Sequence, residues 1–290
     1  MRKSIALLVT LFFILSISVV VSYILEIQTR SFELLETSKD ITQLQALSLD
    51  IKKIIKKIPQ INDINSSEDL ADFLDNFSQI PLLISDDLVA NIEISSAASK
   101  ININLFSKWT AKQKEIFLNY LQNRYQLSQP QFFLDIIQDL TTNKKNYYPL
   151  TPILNDNPKF GKSGIYDFDE FMIAVDYYIK NSLDFHILNV PWRKIITFSG
   201  NEIDLNQMDK ELWYLFLPNR GEDEIENLKS NIYEKIDDVD ISDEEKKILK
   251  SFNVKTFVPK IDIKIEIKNK KIEFEYDISK KKIISYRFIT

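Results

Sequence analysis

Residues 5–24 read IALLVTLFFILSISVVVSYI, and no charged side chain interrupts this stretch. At about 1.5 Å of rise per residue, a helix over these positions is about 30 Å long, the thickness of a bilayer's hydrocarbon core. Arg2 and Lys3 precede the stretch, and positive charge favours the cytoplasmic side of a membrane. We therefore predict a basic leader over residues 1–4, a single transmembrane helix over residues 5–25 and a cytoplasmic N-terminus.

A cleaved secretory signal is the alternative interpretation of this stretch. Such signals have an apolar core of about 7–15 residues, followed by a cleavage site of small residues. Here the apolar run is longer, and residues 24–28 read ILEIQ, which continues the helical pattern without small side chains. The sequence therefore favours an uncleaved membrane anchor, which places the rest of the chain on the far side of the membrane.

The helical pattern extends beyond the apolar stretch. Apolar side chains then recur mostly at steps of three and four, and the first proline is Pro59. The recurring positions are Leu34, Ile41, Leu44, Leu47, Ile51, Ile54, Ile55 and Ile58. The pattern predicts one helix from residue 5 to residue 58 with an amphipathic second half. A turn that joins the anchor to a separate amphipathic helix is the alternative.

The end of the chain has the two-residue alternation of β-strands. Residues 260–268 read KIDIKIEIK, residues 272–276 alternate again, and residues 283–288 follow after a second turn. These segments predict an antiparallel meander with one apolar face and one charged face. The apolar face needs a covering element, and we expect the amphipathic half of the N-terminal helix to pack on it.

The middle of the chain is mostly helical in its periodicity, with a few short strands. Helices are predicted near residues 64–76, 112–121, 132–140, 167–179 and 208–217, with an acidic helical stretch over 222–252. Strands are predicted over residues 88–94, 100–105 and 192–198. A helical block therefore separates the first strands from the C-terminal meander.

Two short segments of this middle part are similar to each other. Residues 100–105 read KININL and residues 202–207 read EIDLNQ, and a predicted helix follows each. The matching positions are Ile101, Asn102 and Asn104 in the first segment and Ile203, Asp204 and Asn206 in the second. We expect Asn104 and Asn206 to cap the helices, because an asparagine oxygen accepts a hydrogen bond from a free N–H at a helix start. Two independent strand-to-helix transitions are the alternative.

The composition argues against most catalytic functions and against nucleic-acid binding. The formal net charge is -5, and the chain has no cysteine, four glycines and one histidine, His186. Thiolate chemistry is therefore excluded, Gly-rich phosphate loops are absent, and the negative charge disfavours a nucleic-acid partner. A membrane-tethered enzyme would depend on the carboxylates of Asp167, Asp169 and Glu170, but their position at a predicted helix start favours capping.

A dense group of acidic residues lies between residues 237 and 245. Ser242 precedes Glu245 by three positions, which is the spacing of a capping box. A calcium loop needs oxygen ligands at a fixed spacing and usually a glycine, and this segment has neither. We therefore predict no cofactor and no metal site, with calcium as an open alternative.

The order of these features resembles a type IV pilin or pseudopilin, and in particular the K-type minor pseudopilin of type II secretion. The KININ of residues 100–104 resembles that family's K-I-N-L-N signature, and residues 202–207 resemble its second I-N-x-N-T element. Residues 164–172, GIYDFDEFM, resemble the family's segment that ends in D-E-L. The resemblance implies an α+β, pilin-like fold: the long N-terminal helix packs on the C-terminal antiparallel sheet, and an α-rich domain is inserted between them.

The resemblance also implies domain limits and processing. Residues 26–104 and 253–290 would form the pilin-like part, and residues 105–252 the inserted domain. Prepilin peptidase would cleave between Ser4 and Ile5, and Ser4 stands where family members carry glycine. Val9 stands at the position of the glutamate of most pilins, as expected for a K-type member.

The implied function is structural rather than enzymatic. The protein would cap or initiate the periplasmic pseudopilus of a type II secretion system from the inner membrane. Its partners would be other minor pseudopilins in a heteromeric tip complex, the major pseudopilin, the inner membrane and the prepilin peptidase. The alternatives are a minor pilin of a type IV pilus or DNA-uptake system, and an inner-membrane-anchored periplasmic scaffold.

Overall fold

The computed structural model describes Thr42, Ile61 and residues 63–85, 88–142, 147–156, 164–267 and 270–289. The chain divides into two compact units, Met1–Ile58 and Pro59–Thr290, and the elements below all belong to the second. The predicted leader, transmembrane helix and amphipathic helix lie outside the described residues apart from Thr42, and so do Ser4, Ile5 and the predicted packing of the helix on the sheet. Within the ranges given above, no helix is long and apolar enough to cross a membrane.

Helices and very short strands lie in sequence between two groups of longer strands. The strands are β1 (Gln79–Ser85), β2 (Leu88–Ser96), β3 (Ile101–Asn102), β4 (Ile196–Thr197), β5 (Ile203–Asp204), β6 (Val254–Lys255), β7 (Lys260–Ile267), β8 (Lys270–Asp277) and β9 (Lys282–Ile289). The α-helices are α1 (Ser67–Phe77), α2 (Ala111–Tyr125), α3 (Pro130–Thr141), α4 (Ile153–Asp156), α5 (Phe168–Ser182), α6 (Trp192–Ile195), α7 (Lys210–Phe216), α8 (Glu222–Lys229) and α9 (Asp243–Ser251). Short 3-10 helices cover Ile103–Lys108, Phe185–Asn189 and Ile236–Asp238.

The longer strands form one five-stranded antiparallel sheet in the order β1-β2-β7-β8-β9. The predicted C-terminal meander is confirmed, because Ile263 of β7 lies opposite Phe274 of β8 and both side chains are buried. β2 joins the meander from the other side, with Ile94 opposite Ile263. The helices and the antiparallel sheet together agree with the predicted α+β class, whereas the domain limits at residues 104 and 252 stay a prediction.

β1 is a longer strand that the sequence pattern did not indicate. It contains Pro81, which breaks the alternation and lacks the N–H group that a central strand needs. β1 lies at the edge of the described sheet, and Pro81 faces Asn91 of β2. A proline is tolerated at an edge, because one side of such a strand makes no ladder hydrogen bonds.

The other face of the sheet carries charged side chains in rows. Lys264 lies between Glu93 of β2 and Glu273 of β8, and its ammonium approaches the Glu93 carboxylate to 3.5 Å. In the next row Asp262 lies opposite Glu275, and burial raises the pKa of Asp262 to about 7 and also raises that of Glu275. Facing opposite charges stabilise a strand pair by about 0.2–1 kcal/mol, so the first row favours the observed register.

The helical block has its own hydrophobic core, and Trp192 of α6 is central to it. The ring centroids of Phe133 and Phe171 lie 5.2 Å and 5.1 Å from that of Trp192. The indole Nε1 donates a hydrogen bond to the Ile187 carbonyl at 3.1 Å, so its polar group is satisfied inside the core. This core spans both of the similar sequence segments, because its members run from Ile101 to Val254.

Two predicted strands of the block are wrong over most of their length. Residues 100–105 form only the two-residue β3 before the chain turns into a 3-10 helix. Residues 192–195 form α6, because Trp192 and Ile195 are both buried at helical spacing, and only Ile196 and Thr197 are extended. The alternation of residues 100–105 indicated a strand, but Ile103 and Phe106 are buried at a helical spacing.

Candidate functional site

The two similar segments fold in the same way, so their sequence similarity corresponds to a similarity in structure. β3 pairs in parallel with β4, where Ile101 lies opposite Ile196. β5 pairs in parallel with β6, where Ile203 lies opposite Val254. In each case the partner strand follows a helix, α6 for β4 and α9 for β6. Each segment is therefore one half of a minimal two-strand bridge within the helical block.

Of the two matching polar positions in each segment, the first forms a tight turn at the end of its strand. Asn102 Oδ1 accepts a hydrogen bond from the Asn104 N–H at 3.0 Å, and Asp204 Oδ1 accepts one from the Asn206 N–H at 2.9 Å. The Asn102 amide also donates to the Gly200 carbonyl at 2.6 Å. These turns orient the second polar residue of each segment toward neighbouring chain segments.

The second polar residue of the first segment, Asn104, clamps two distant stretches of backbone. Its Oδ1 accepts from the Ile165 N–H at 2.7 Å, while its Nδ2 donates to the carbonyls of Ile165 and Phe198 at 2.7 Å and 3.0 Å. Gly164 has a φ of +110°, and a Cβ there would lie 2.6 Å from Asn104 Oδ1. A glycine is therefore required for the backbone to approach this close.

Asn206 makes the equivalent clamp in the second segment. Its Oδ1 accepts from the Tyr233 N–H at 2.8 Å, and its Nδ2 donates to the carbonyls of Tyr233 and Thr256 at 3.0 Å and 2.6 Å. The predicted helix-capping role of Asn104 and Asn206 is therefore wrong. Thr110 caps α2 and Asp209 caps α7, because these residues stand directly before the first helical turns. We call the two arrangements the asparagine clamps.

Asp204 lies where the helical block meets the sheet. Its side chain is fully buried, and its Oδ2 accepts from the Val258 N–H at 2.8 Å. Its own N–H donates to the carbonyl of Ala98, which follows β2, at 2.7 Å. Burial raises the pKa of Asp204 to about 7, although the amide donors act in the opposite direction. An ionisable group therefore sits at the junction between the two chain segments that lead into and out of the sheet.

Asp184 forms a second buried polar centre, which the sequence pattern did not indicate. One oxygen accepts hydrogen bonds from the Ser128 N–H and hydroxyl at 2.6 Å and 2.9 Å and from the Tyr178 hydroxyl at 2.8 Å. The other oxygen lies 3.0 Å from both the His186 N–H and the His186 Nδ1. Burial alone would raise the pKa of Asp184, but these hydrogen bonds hold it well below its usual range. The carboxylate fixes the segment after α5 to the segment after α2.

The candidate catalytic carboxylates act as helix-capping groups. Asp167 Oδ1 accepts from the Glu170 N–H at 2.8 Å, and Glu170 Oε2 accepts from the Tyr166 N–H at 2.7 Å. Asp169 stands in the first turn of the same helix, where a negative charge is favourable. His186 is a surface residue with an exposed ring. The geometry gives these residues a role in local structure.

The acidic residues near position 240 are likewise explained by a cap and by ion pairs. Ser242 and Glu245 form the predicted capping box at the start of α9. Glu245 also accepts hydrogen bonds from Arg220 at 3.0 Å and 3.1 Å, and Lys250 pairs with Asp237 at 2.9 Å. In the part of the chain that the structure describes, no group of three or more histidine or acidic side chains is placed to hold a metal ion.

Comparison with known proteins supports the fold. No protein-family model matches the chain, and no curated protein matches it. Among solved structures, it is similar to a chain of the GspK-GspI-GspJ complex from the type 2 secretion system of enterotoxigenic Escherichia coli. The similarity covers 88% of this chain and 99% of that chain, with a TM-score of 0.52 and 8% sequence identity. At this identity the likeness establishes a pseudopilin-like fold.

Replacing Asn104 by aspartate should lower the free energy of unfolding by about 1–3 kcal/mol, because the carboxylate cannot donate to the carbonyls of Ile165 and Phe198. Asn206→Asp should have an effect of similar size for the same reason. Urea unfolding of the full chain in neutral detergent, followed by tryptophan fluorescence, measures both losses.

Asn76→Asp is the matched control for these variants. Its amide donates to the Asp72 carbonyl one turn earlier on the exposed surface of α1. This change should lower the free energy of unfolding by less than about 0.5 kcal/mol. Clamp variants that lose no more stability than this control would contradict the structural role of the clamps.

Asp204 should make stability depend on pH in a defined direction. Because its pKa is raised to about 7 in the folded chain, its stabilising contribution is complete below about pH 4 and is lost as the pH rises to about 7. Asp204→Asn removes the titrating group. As the pH rises from about 4 to about 7, the free energy of unfolding of the variant should therefore increase relative to that of the wild type by on the order of a few kcal/mol. Urea unfolding of both proteins across this range measures the difference, and a difference independent of pH would contradict the assignment.

Proposed function

We propose that this chain is a minor pseudopilin of a type II secretion system that caps or initiates the periplasmic pseudopilus. The observation that carries the proposal is the similarity to a chain of the GspK-GspI-GspJ complex, because it covers nearly the full length of both chains. The finer assignment to the K type rests on the order of the KININ, GIYDFDEFM and EIDLNQ segments. The role is structural and requires no catalytic residue.

The arrangement of the described chain suits a terminal subunit. The helical block of residues 101–255 is inserted between β2 and β7, which are neighbours in the sheet. The block has a continuous core and two asparagine clamps that hold its segments, so it can act as a rigid body. In a filament built from helix packing, such a block at one end would obstruct the addition of a further subunit.

The N-terminal stretch supplies the other half of the proposal. Residues 5–24 would cross the inner membrane before assembly and pack against the equivalent helices of other subunits afterwards. Val9 is compatible with a terminal subunit, because a buried glutamate there would need a positive partner from a neighbouring subunit. The partners would be other minor pseudopilins and the major pseudopilin.

Processing of the N-terminus tests the filament assignment. In cells with an active prepilin peptidase, the mature chain should begin at Ile5, and Ser4→Gly should be processed at least as completely. Intact mass and N-terminal sequencing of the membrane-extracted protein measure this, with a peptidase-deficient strain as the control. A chain that still begins at Met1 in the active strain would indicate a permanently anchored scaffold.

Deletion of the protein from its host tests which machine it serves. The deletion should abolish the export of type II secretion substrates and leave pilus-dependent motility and DNA uptake intact. The wild-type chain supplied on a plasmid should restore export, because the defect would be the missing tip subunit. Normal export together with lost DNA uptake would instead assign the chain to a type IV pilus or DNA-uptake system.

A further inference from the structure

The helical block carries an exposed apolar patch whose side chains do not belong to its core. Leu183, Phe185 and Leu188 project from the segment after α5, with exposed fractions of 77%, 62% and 53%. They surround a cleft of about 590 Å³ whose lining also includes Gln126, Asp184 and His186. Exposed large apolar side chains that are concentrated in one short segment mark a contact surface, whereas scattered ones do not. We call these three side chains and the cleft the α5 patch.

The α5 patch is held in place from below. The buried Asp184 carboxylate binds Ser128, Tyr178 and His186, so the segment that carries the apolar side chains is fixed at its base. Leu183 itself has a φ of 55°, a left-handed conformation that is unfavourable for a branched side chain. The fold therefore holds an apolar side chain outward at a backbone cost, although a glycine would suit the position better.

The electrostatics of the cleft favour a cationic partner. Its lining contains no lysine or arginine. The 15-residue helices α2 and α5 both end there, since their C-capping residues Gln126 and Leu183 belong to the lining. A helix C-terminus carries about half a unit of negative charge. Arg124 and Lys180 lie in the last turns and offset part of it, but neither belongs to the lining, whereas the Asp184 carboxylate does. An acidic partner would be repelled, and a bilayer would have to bury these polar groups.

We propose that the α5 patch docks another protein through a segment in which large apolar residues flank an arginine or lysine. The apolar side chains of that segment would pack on Leu183, Phe185 and Leu188, and its cation would face the two helix ends. The proposal does not rest on the assignment to a pseudopilus, because it follows from exposure, backbone geometry and charge alone.

Two labelled helical peptides with identical leucine positions test the proposal. One carries lysine and the other glutamate at every polar position, and fluorescence anisotropy measures their binding to the full chain in neutral detergent. Titrations with empty micelles are subtracted. The lysine peptide should bind at least about tenfold more tightly than the glutamate peptide, because two helix C-termini and no lysine or arginine lie in the lining of the cleft.

Two double variants distinguish binding of the peptide at the α5 patch from binding elsewhere on the chain. Phe185→Ser combined with Leu188→Ser should weaken binding of the lysine peptide by about tenfold or more, since both residues are exposed contacts. Tyr148→Ser combined with Ile232→Ser is the matched control, because both residues are exposed apolar side chains outside the patch. The control should leave the affinity unchanged, and thermal unfolding checks that both variants fold.

Three results would overturn the proposal. The first is equal binding of the lysine and glutamate peptides, and the second is an affinity that the patch variant does not change. The third is a wild-type chain that sediments as a dimer and becomes monomeric in the patch variant, which would make a second copy of this chain the occupant.

Discussion

The helical block depends on hydrogen bonds from an asparagine carboxamide to backbone groups that have no partner in a helix or a strand. Asn104 offers one acceptor and two donors, and all of them meet backbone groups of Ile165 and Phe198. These segments cross without forming a regular ladder, so their N–H and carbonyl groups would otherwise lack partners inside the fold. Asn206 makes the same set of hydrogen bonds to the backbone of Tyr233 and Thr256. A single side chain thereby holds together segments that are far apart in sequence.

The two clamps share a plan but differ in their surroundings. In the first segment the residue two positions before the clamp asparagine is Asn102, whose amide donates a hydrogen bond to the Gly200 carbonyl near the surface. In the second segment it is Asp204, which is fully buried at the junction with the sheet. Thr256 also accepts a hydrogen bond from the Ser67 hydroxyl of α1 at 2.6 Å. The second clamp therefore joins the helical block to α1 and to the sheet, and only this one places an ionisable group in the joint.

The polar centres in the part of the chain that the structure describes stabilise local structure through caps, ion pairs and hydrogen bonds. Asp167 caps a helix, Glu245 completes the capping box of another and pairs with Arg220, and Asp184 fixes two loops to each other. A rigid block that presents surfaces agrees with a subunit whose task is to assemble with others. The proposed pseudopilus role and the proposed docking at the α5 patch start from different observations, because one comes from the fold and the other from side-chain exposure.

The sequence by itself determined the elements whose periodicity is long and whose end signals are local. The C-terminal meander, the helix near residues 64–76 and the capping box at Ser242 could be predicted, because alternation and capping act within a few residues. Tertiary structure alone decided the edge strand β1, the short β3 and β4, and the clamp role of Asn104 and Asn206. The clamps depend on partners 27 to 94 residues away, and β3 and β4 depend on the pairing of Ile101 with Ile196, which no local pattern identifies. β1 pairs with the adjacent β2, but Pro81 interrupts the alternation that would have indicated it. The similarity between the two segments was visible in the sequence. The role of Asn104 and Asn206 was not, because only folding brings their backbone hydrogen-bond partners to these side chains.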